Sequence, residues 1–210
     1  MSFFTPSRAA RASGERPRVV VGEFTLHCRD KVREILVVTG VFREEEIRVA
    51  IELFDSVFGE SAGTNDVQAV GAMNTLNAPA SSDYSFLGAF TPEEELVGFA
   101  CYGPTPGTDS TFDLYWIAVH PSEQGSGSGT ILLNEVERRL KGLNARLVVV
   151  ETSSRSDYED TRGFYLRRGY DEAARTRDFY APADDRITYT KRLQSRVPFG
   201  EWMAHGVETR

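Results

Sequence analysis

Trp116-Ile117-Ala118-Val119-His120-Pro121-Ser122-Glu123-Gln124-Gly125-Ser126-Gly127-Ser128-Gly129-Thr130 is the stretch from which the rest of the chain can be read. It starts with the bulk of a strand, breaks into a turn of glycine and serine, and leads to Leu132, Leu133, Val136 and Leu140 at helical spacing. Small residues let a backbone approach a ligand, and successive N–H groups at a helix start cradle phosphate oxygens. Three known patterns can be tested letter by letter. A P-loop needs Lys after its glycines, and none stands there. A dinucleotide fingerprint needs GxGxxG directly after the strand. Here the sixth residue is Thr130 and Gln124 lies well beyond Val119, although Glu151 at the end of the next strand imitates the ribose-binding acid. A nucleophile elbow needs Ser at its centre, where this chain has Gly127 between Ser126 and Ser128.

The pattern that fits is Q/R-x-x-G-x-G/A, as Gln124-x-x-Gly127-x-Gly129 after a strand ending Val119-His120-Pro121. With it the chain resembles the GNAT superfamily of acetyl-coenzyme A-dependent N-acetyltransferases. A second matching element is Tyr158-x-x-Thr161-x-x-Phe164-Tyr165-x-x-x-Gly169-Tyr170, similar to the family's N-x-x-A-x-x-x-Y-x-x-x-G-F, with Tyr158 in place of Asn and Thr161 in place of Ala. The resemblance runs over 84–193 and more loosely over the helices before it. It implies an α+β fold of α/β/α layers, with a mostly antiparallel sheet of about seven strands, the fourth and fifth splayed, and about four helices.

The flanking sequence gives elements in the same order. Val19–Leu26 has strand bulk. Asp30 can cap a helix carrying Val32, Ile35, Leu36 and Thr39 that stops at Gly40. A second helix starts near Arg43, with Glu44, Glu45 and Glu46 at its positive end and Ile47, Ile51, Phe54 and Phe58 on one face. Residues 59–83 are too long and too poor in large apolar groups for an ordinary connection, so they form a disordered insertion or a lid. Tyr84–Phe90, Leu96–Tyr102 and Phe112–Val119 form a three-strand meander. A helix over Gly127–Lys141, a strand over Arg146–Glu151, a helix over Asp160–Arg168 stopped by Gly169, and strands over Tyr170–Phe179 and Arg186–Leu193 follow. One domain therefore spans 19–193, between a flexible arm (1–18) and a tail (194–210). The tail's Phe199, Trp202 and Met203 suit a covered surface or a homodimer contact.

The resemblance also implies roles. Acetyl-CoA is the donor, its pyrophosphate resting on the backbone of Gln124, Gly125, Ser126, Gly127, Ser128, Gly129 and Thr130. Its pantetheine arm pairs with Ile117, Ala118 and Val119, and Tyr158 and Arg162 complete the cofactor site. Arg138 and Arg155 are further candidates for the terminal phosphate. Tyr165 matches the tyrosine near the coenzyme's sulfur, and a phenol, neutral at pH 7, can donate to a departing thiolate. The attacking amine must lose a proton to a carboxylate or a water chain. Asp113, eleven positions before Gln124, and Glu151, on the next strand, are the two candidates. The Val119 N–H suits the oxyanion. Cys101, in mid-strand, reads as a buried hydrophobe, so direct transfer in a ternary complex is expected. Tyr115 and Tyr180 offer aromatic surface to a cationic acceptor: a small-molecule, amino-acid or peptide-like primary amine. Asp184 and Asp185 read as turn residues and His120 as an exposed loop residue. A non-catalytic acyl-CoA-binding or regulatory module is the alternative reading.

Composition sets the outer limits. Among 210 residues, 24 Lys and Arg stand against 31 Asp and Glu for a net charge of −7, which argues against general affinity for nucleic acid. No apolar run reaches the roughly 20 residues of a membrane helix. The two cysteines, Cys28 and Cys101, have no metal-ligand or disulfide spacing. No metal, no membrane partner and a cytoplasmic location are therefore expected. An acidic protein can still hold a polyanion if local backbone dipoles supply the positive potential.

Overall fold

The computed structural model describes residues 19–59 and 84–194. The expected arm at 1–18, residues 60–83 of the insertion or lid, and 195–210 of the tail lie outside the described residues. In chain order the elements are β1 (Val20–Glu23), α1 (Arg29–Thr39), α2 (Glu44–Phe58), β2 (Ser85–Phe90), β3 (Leu96–Pro104), β4 (Thr111–Val119), α3 (Ser128–Gly142), β5 (Leu147–Ser153), α4 (Glu159–Leu166), β6 (Asp171–Ala181) and β7 (Asp184–Arg192). They form the expected α+β fold. One seven-stranded sheet runs β1-β2-β3-β4-β5-β7-β6, antiparallel everywhere except between β4 and β5.

Each face of the sheet buries its own core. On one face Leu132, Leu133, Val136 and Leu140 of α3 are fully enclosed against Leu87, Leu114, Val148, Val150, Ile187 and Tyr189, with Tyr165 of α4 beside them. On the other, Val32, Ile35, Leu36, Ile47, Ile51 and Phe54 of α1 and α2 pack on Phe86, Phe99 and Cys101. Phe24 meets Phe54 and Phe86 edge-on at 5.9 and 5.8 Å, geometry that adds about 0.5–1.5 kcal/mol per pair to the area buried. The helical stripes expected from periodicity are the buried faces.

Several boundaries differ from the local reading. The first strand stops at Glu23, and Leu26–Cys28 form a short 3-10 turn leading straight into α1. Cys28, not Asp30, holds the N-cap position, and Asp30 sits in the first turn near the helix's positive end. The bulk that suggested strand at Phe24 serves instead to fill the aromatic cluster. Strand β5 continues past Glu151 to Ser153 because β7 stays paired with it as far as Arg186. Asp184 does not sit in a turn: it opens β7 at 4% exposure.

The feature that positions a site is the break between β4 and β5. They pair only from Thr111↔Leu147 to Asp113↔Val149. Beyond that, β4 keeps its pairing with β3 up to Gly98↔Val119 while β5 follows β7, so the sheet opens into a wedge with one edge of β4 uncovered.

Candidate active site

The uncovered edge of β4 is polar in a defined pattern. His120 N–H donates to Val97 O at 2.8 Å, which fixes the phase of the ladder. In an antiparallel pair, alternate residues turn their N–H and C=O groups to the same partner strand. Ala118 therefore faces β3, and Ile117 and Val119 face the wedge. Of the three residues expected to line an extended ligand, two have their backbone groups on that side and Ala118 does not. Gln124 Nε2 donates to Val119 O at 3.1 Å, leaving the Val119 N–H as the group presented at the strand's end.

The loop that follows forms a second set of donors. Gly127 takes φ +100° as the residue before α3, and Gly125 has φ +74°, conformations that suit glycine. The N–H groups of Gln124, Ser126 and Thr130 are used within the turn, on Pro121, Glu123 and Gly127 carbonyls. Among the described residues, the N–H groups of Gly125, Gly127 and Gly129 meet no acceptor. Ser126 and Ser128 hydroxyls bond each other at 2.8 Å, and Ser128 is fully buried, so both side chains brace the loop from inside. A Cβ on Gly129 would lie 3.3 Å from the Phe164 ring, so glycine here lets α4 pack against the first turn of α3. Three free N–H groups at the positive end of a 15-residue helix are donors that could hold an anion.

The two carboxylates stand on opposite lips of the wedge, and their surroundings differ. Asp113 accepts from Thr105 Oγ1 at 2.7 Å, and no cation faces it among the described residues; burial raises its pKa, with the Thr105 bond working against the shift. Glu151 is paired with Arg186 Nη1 at 3.2 Å. Its pKa is also raised, by burial first, with Arg186 opposing and the Asp113 charge adding to the rise. Tyr115 occupies a bulge in β4, between Leu114, paired with Tyr102, and Trp116, paired with Cys101. Its ring lies 5.2 Å from that of Tyr84, and burial pushes its hydroxyl pKa well up, with Asp113 adding to the shift.

The tyrosines expected around the site divide between core and wall. Tyr165 is 3% exposed, stacked with Tyr189 at 6.2 Å and edge-on to Tyr170 at 5.3 Å; burial holds its pKa far above the ordinary phenol value. Tyr158 is buried under the Arg155 guanidinium, 5.2 Å from its ring, with its pKa raised by burial and then by Glu46. Tyr180 is pushed up to about 12 by burial and then by Glu151. Cys101 is fully buried with its thiol pKa pushed up, as expected of a hydrophobe.

The arginines expected at a terminal phosphate are engaged elsewhere. Arg138 pairs with Glu135 at 2.7 Å, and Arg155 with Asp157 at 2.7 Å while donating to Val41 O. Arg162 Nη1 donates to Ser153 O and Arg155 O, both at 2.8 Å, fastening the β5–α4 connection. Three other residues had no local sequence signal. Arg43 ion-pairs with the buried Asp184, which also accepts from Ser153, tying the start of α2 to the β5–β7 side of the wedge. The third, Arg168, reaches from the end of α4 to Thr130 in the first turn of α3. His120 is a half-buried loop residue whose Nδ1 bonds Ser122 Oγ at 2.7 Å. Asp185 binds the Asp178 N–H and Arg175 within the β6–β7 hairpin. Among the described residues there is no cluster of metal-ligating side chains, and no helix is long and apolar enough to cross a membrane.

Comparison with known proteins gives a consistent picture. The acetyltransferase (GNAT) family model matches residues 51–170. A solved structure from Desulfovibrio desulfuricans, assigned to the GNAT acetyltransferases, is 36% identical, with 84% of this chain and 100% of that one covered and a TM-score of 0.70. At 16% identity, the ribosomal-protein-S18-alanine N-acetyltransferase of Escherichia coli shares the fold over 87% of this chain and 98% of its own, with a TM-score of 0.62. The PaiA N-acetyltransferase of Thermoplasma acidophilum, solved with coenzyme A, does so at 17% identity over 83% and 99%, with a TM-score of 0.58. No curated protein matches the chain significantly.

Proposed function

The chain belongs to the GNAT family of acetyltransferases, and from that premise we propose that it transfers the acetyl group of acetyl-CoA to a primary amine of a small-molecule, amino-acid or peptide-like acceptor, by direct attack in a ternary complex. One observation carries this reading: the uncovered β4 edge is followed, after one short turn at Pro121–Glu123, by three unclaimed glycine N–H groups at the start of α3. A strand edge followed by an anion cradle fits a ligand with an amide-bearing arm and a phosphate head.

Acetyl-CoA supplies the activated thioester, and the residues of the chain do the rest. The backbone from Gln124 to Thr130 binds the pyrophosphate, chiefly through Gly125, Gly127 and Gly129. Ile117 and Val119 align the arm as an added strand would be aligned, and the Val119 N–H meets the negative charge that develops on the carbonyl oxygen. Asp113 takes the amine's proton, directly or through one water, because it is the carboxylate without a paired cation. Tyr165, held neutral by burial, donates to the departing sulfur. Tyr115 and Tyr180, with Glu151 and Glu46 nearby, make the acceptor wall aromatic and acidic, which favours a cationic amine.

Calorimetric titration with coenzyme A and with NAD tests the cradle: heat is expected from the first and none from the second, and preferential NAD binding would overturn the assignment. Turnover is tested by acetyl-CoA-dependent thiol release across amino acids, polyamines, aminoglycosides and short peptides. With the best acceptor, Tyr165→Phe is expected to lower the rate about 100-fold, at the lower end for a general acid because a thiolate leaves readily. An undiminished rate removes Tyr165 from that role.

A further inference from the structure

On the α3 face the buried core crosses the wedge, with Leu87 and Leu114 on one side of it and Val150 and Ile187 on the other. On the α1/α2 face it does not: among the described residues, the apolar cluster there takes nothing from β5, β6 or β7. Polar contacts bridge the gap instead, and they close into a ring. Arg43, just before α2, ion-pairs with Asp184, which opens β7; Asp184 accepts from Ser153 Oγ at the end of β5, and Ser153 Oγ accepts from the Arg155 N–H at 3.0 Å. Arg155 Nη2 then returns to Val41 O, at 2.8 Å, in the α1–α2 connection. Asp184 and Ser153 are both buried. A buried ion pair gains little stability over apolar side chains of the same volume, so stability alone does not account for this one. What the pair fixes is the base of a bulge. Strands β6 and β7 pair at Thr176↔Arg186 and next at Ala181↔Asp184, so Arg177, Asp178, Phe179 and Tyr180 stand opposite Asp185 alone. Bulges re-aim side chains, and this one carries Tyr180 to the α2 side, where the Arg43 guanidinium lies 6.0 Å from its ring centre.

We propose that Arg43 and Asp184 are positioning residues for the acceptor: their ion pair latches the α1–α2 connection to the β6–β7 bulge and so holds Tyr180 in the acceptor wall. The inference rests on the acetyl-transfer reading above, which places Tyr180 in that wall. Arg43 also donates its backbone N–H to Glu46 Oε2 at 2.7 Å, so the residue that grips β7 orders the first turn of α2 as well. Among the described residues, neither Arg43 nor Asp184 bonds to the β4 edge or to the turn before α3. The latch therefore acts on the acceptor and leaves donor binding alone.

Arg43→Met, Asp184→Asn and their double variant in the full chain test it, with acceptor KM and kcat read by thiol release with the best amine and coenzyme A Kd read by calorimetry. Each single variant is expected to raise acceptor KM about 10-fold, with kcat and coenzyme A Kd unchanged. The double variant is expected to match the singles, because one contact is lost either way, and Arg43→Lys, which keeps the charge, to bring KM back near wild type. Coenzyme A weakened in step with the acceptor marks a general loss of packing and overturns the proposal, as does an acceptor KM unmoved in the double variant. Should Arg43→Met not fold with Asp184 buried and unpaired, the double variant carries the test, because asparagine strands no charge and can keep a bond with Ser153. Hydrogen exchange of the Arg177–Ala181 amides reads the latch without an acceptor. Faster exchange there in the double variant, with α3 unchanged, is expected, and unchanged exchange overturns the latch. A wild-type chain that binds no coenzyme A or acetylates no amine overturns the acetyl-transfer reading itself, and is recognised before any variant is compared.

Discussion

Gly127→Asp is expected to abolish coenzyme A binding by a chain that still folds. Two costs combine in this variant, and a second substitution separates them. Gly127 has φ +100°, so any side chain there is strained by about 1–2 kcal/mol, whereas no atom stands within 4 Å of the new Cβ to clash with it. Gly127→Ala carries the strain alone and is expected to weaken coenzyme A by about 10-fold. Aspartate adds a negative charge where the phosphate must lie and offers its own oxygens to the unclaimed N–H groups, in the manner of an N-cap. Local capping competes with the ligand, charge repels it, and the expected loss exceeds 1000-fold at moderate ionic strength. Calorimetry on the three proteins checks this, with far-UV circular dichroism to show that the fold persists. Coenzyme A affinity in the aspartate variant equal to that of the alanine variant would mean that no phosphate rests on this turn.

The proposed cradle is legible in the sequence because everything that defines it lies within seven consecutive residues: the glycines, their spacing and the helix that follows. The same holds for the buried stripes of α1, α2 and α3, which depend only on helical period. Legibility fails where the defining contact is distant in the chain. Arg43 and Asp184 are 141 positions apart and Thr130 and Arg168 are 38 apart, so no window over either residue could reveal its partner. Arg138, Arg155 and Arg162, the candidates for the terminal phosphate, have partners near in the chain: Glu135 three positions before Arg138, Asp157 two positions after Arg155, and the Ser153 and Arg155 carbonyls nine and seven positions before Arg162. The phase of β4 was hidden for a related reason. A run such as Ile117-Ala118-Val119 does not say which residues face the wedge, and here the bulge at Tyr115 and the His120 bond to Val97 decide it.

Two carboxylates are equal candidates for the base by sequence, and the fold gives them different partners, which leads to the second large effect. Asp113→Asn is expected to lower amine-dependent thiol release about 1000-fold while making the protein more stable at neutral pH. The two halves of that statement have one cause. Burial raises the folded-state pKa of Asp113 above its unfolded value near 3.9, so the folded chain holds this proton more tightly than the unfolded chain does. Stability contributed by the group is therefore fully present below the unfolded pKa, falls as pH rises through the raised folded pKa, and is at its lowest at neutral pH. Asparagine does not ionise, can keep a hydrogen bond with Thr105 and removes the penalty. The stability gain of the variant should be absent in acid, grow across that window and stay constant above it, as read by urea denaturation at several pH values. Glu151 differs in being tied to Arg186, which opposes the rise that burial gives its pKa, so Glu151→Gln is expected to gain less stability than Asp113→Asn and, on the proposed assignment, to affect turnover much less. If Asp113→Asn keeps its rate and Glu151→Gln loses it, the base is Glu151. If both keep it, the proton leaves through solvent, and the unpaired charge at Asp113 serves to attract a cationic acceptor, which would appear as a raised acceptor KM with kcat intact.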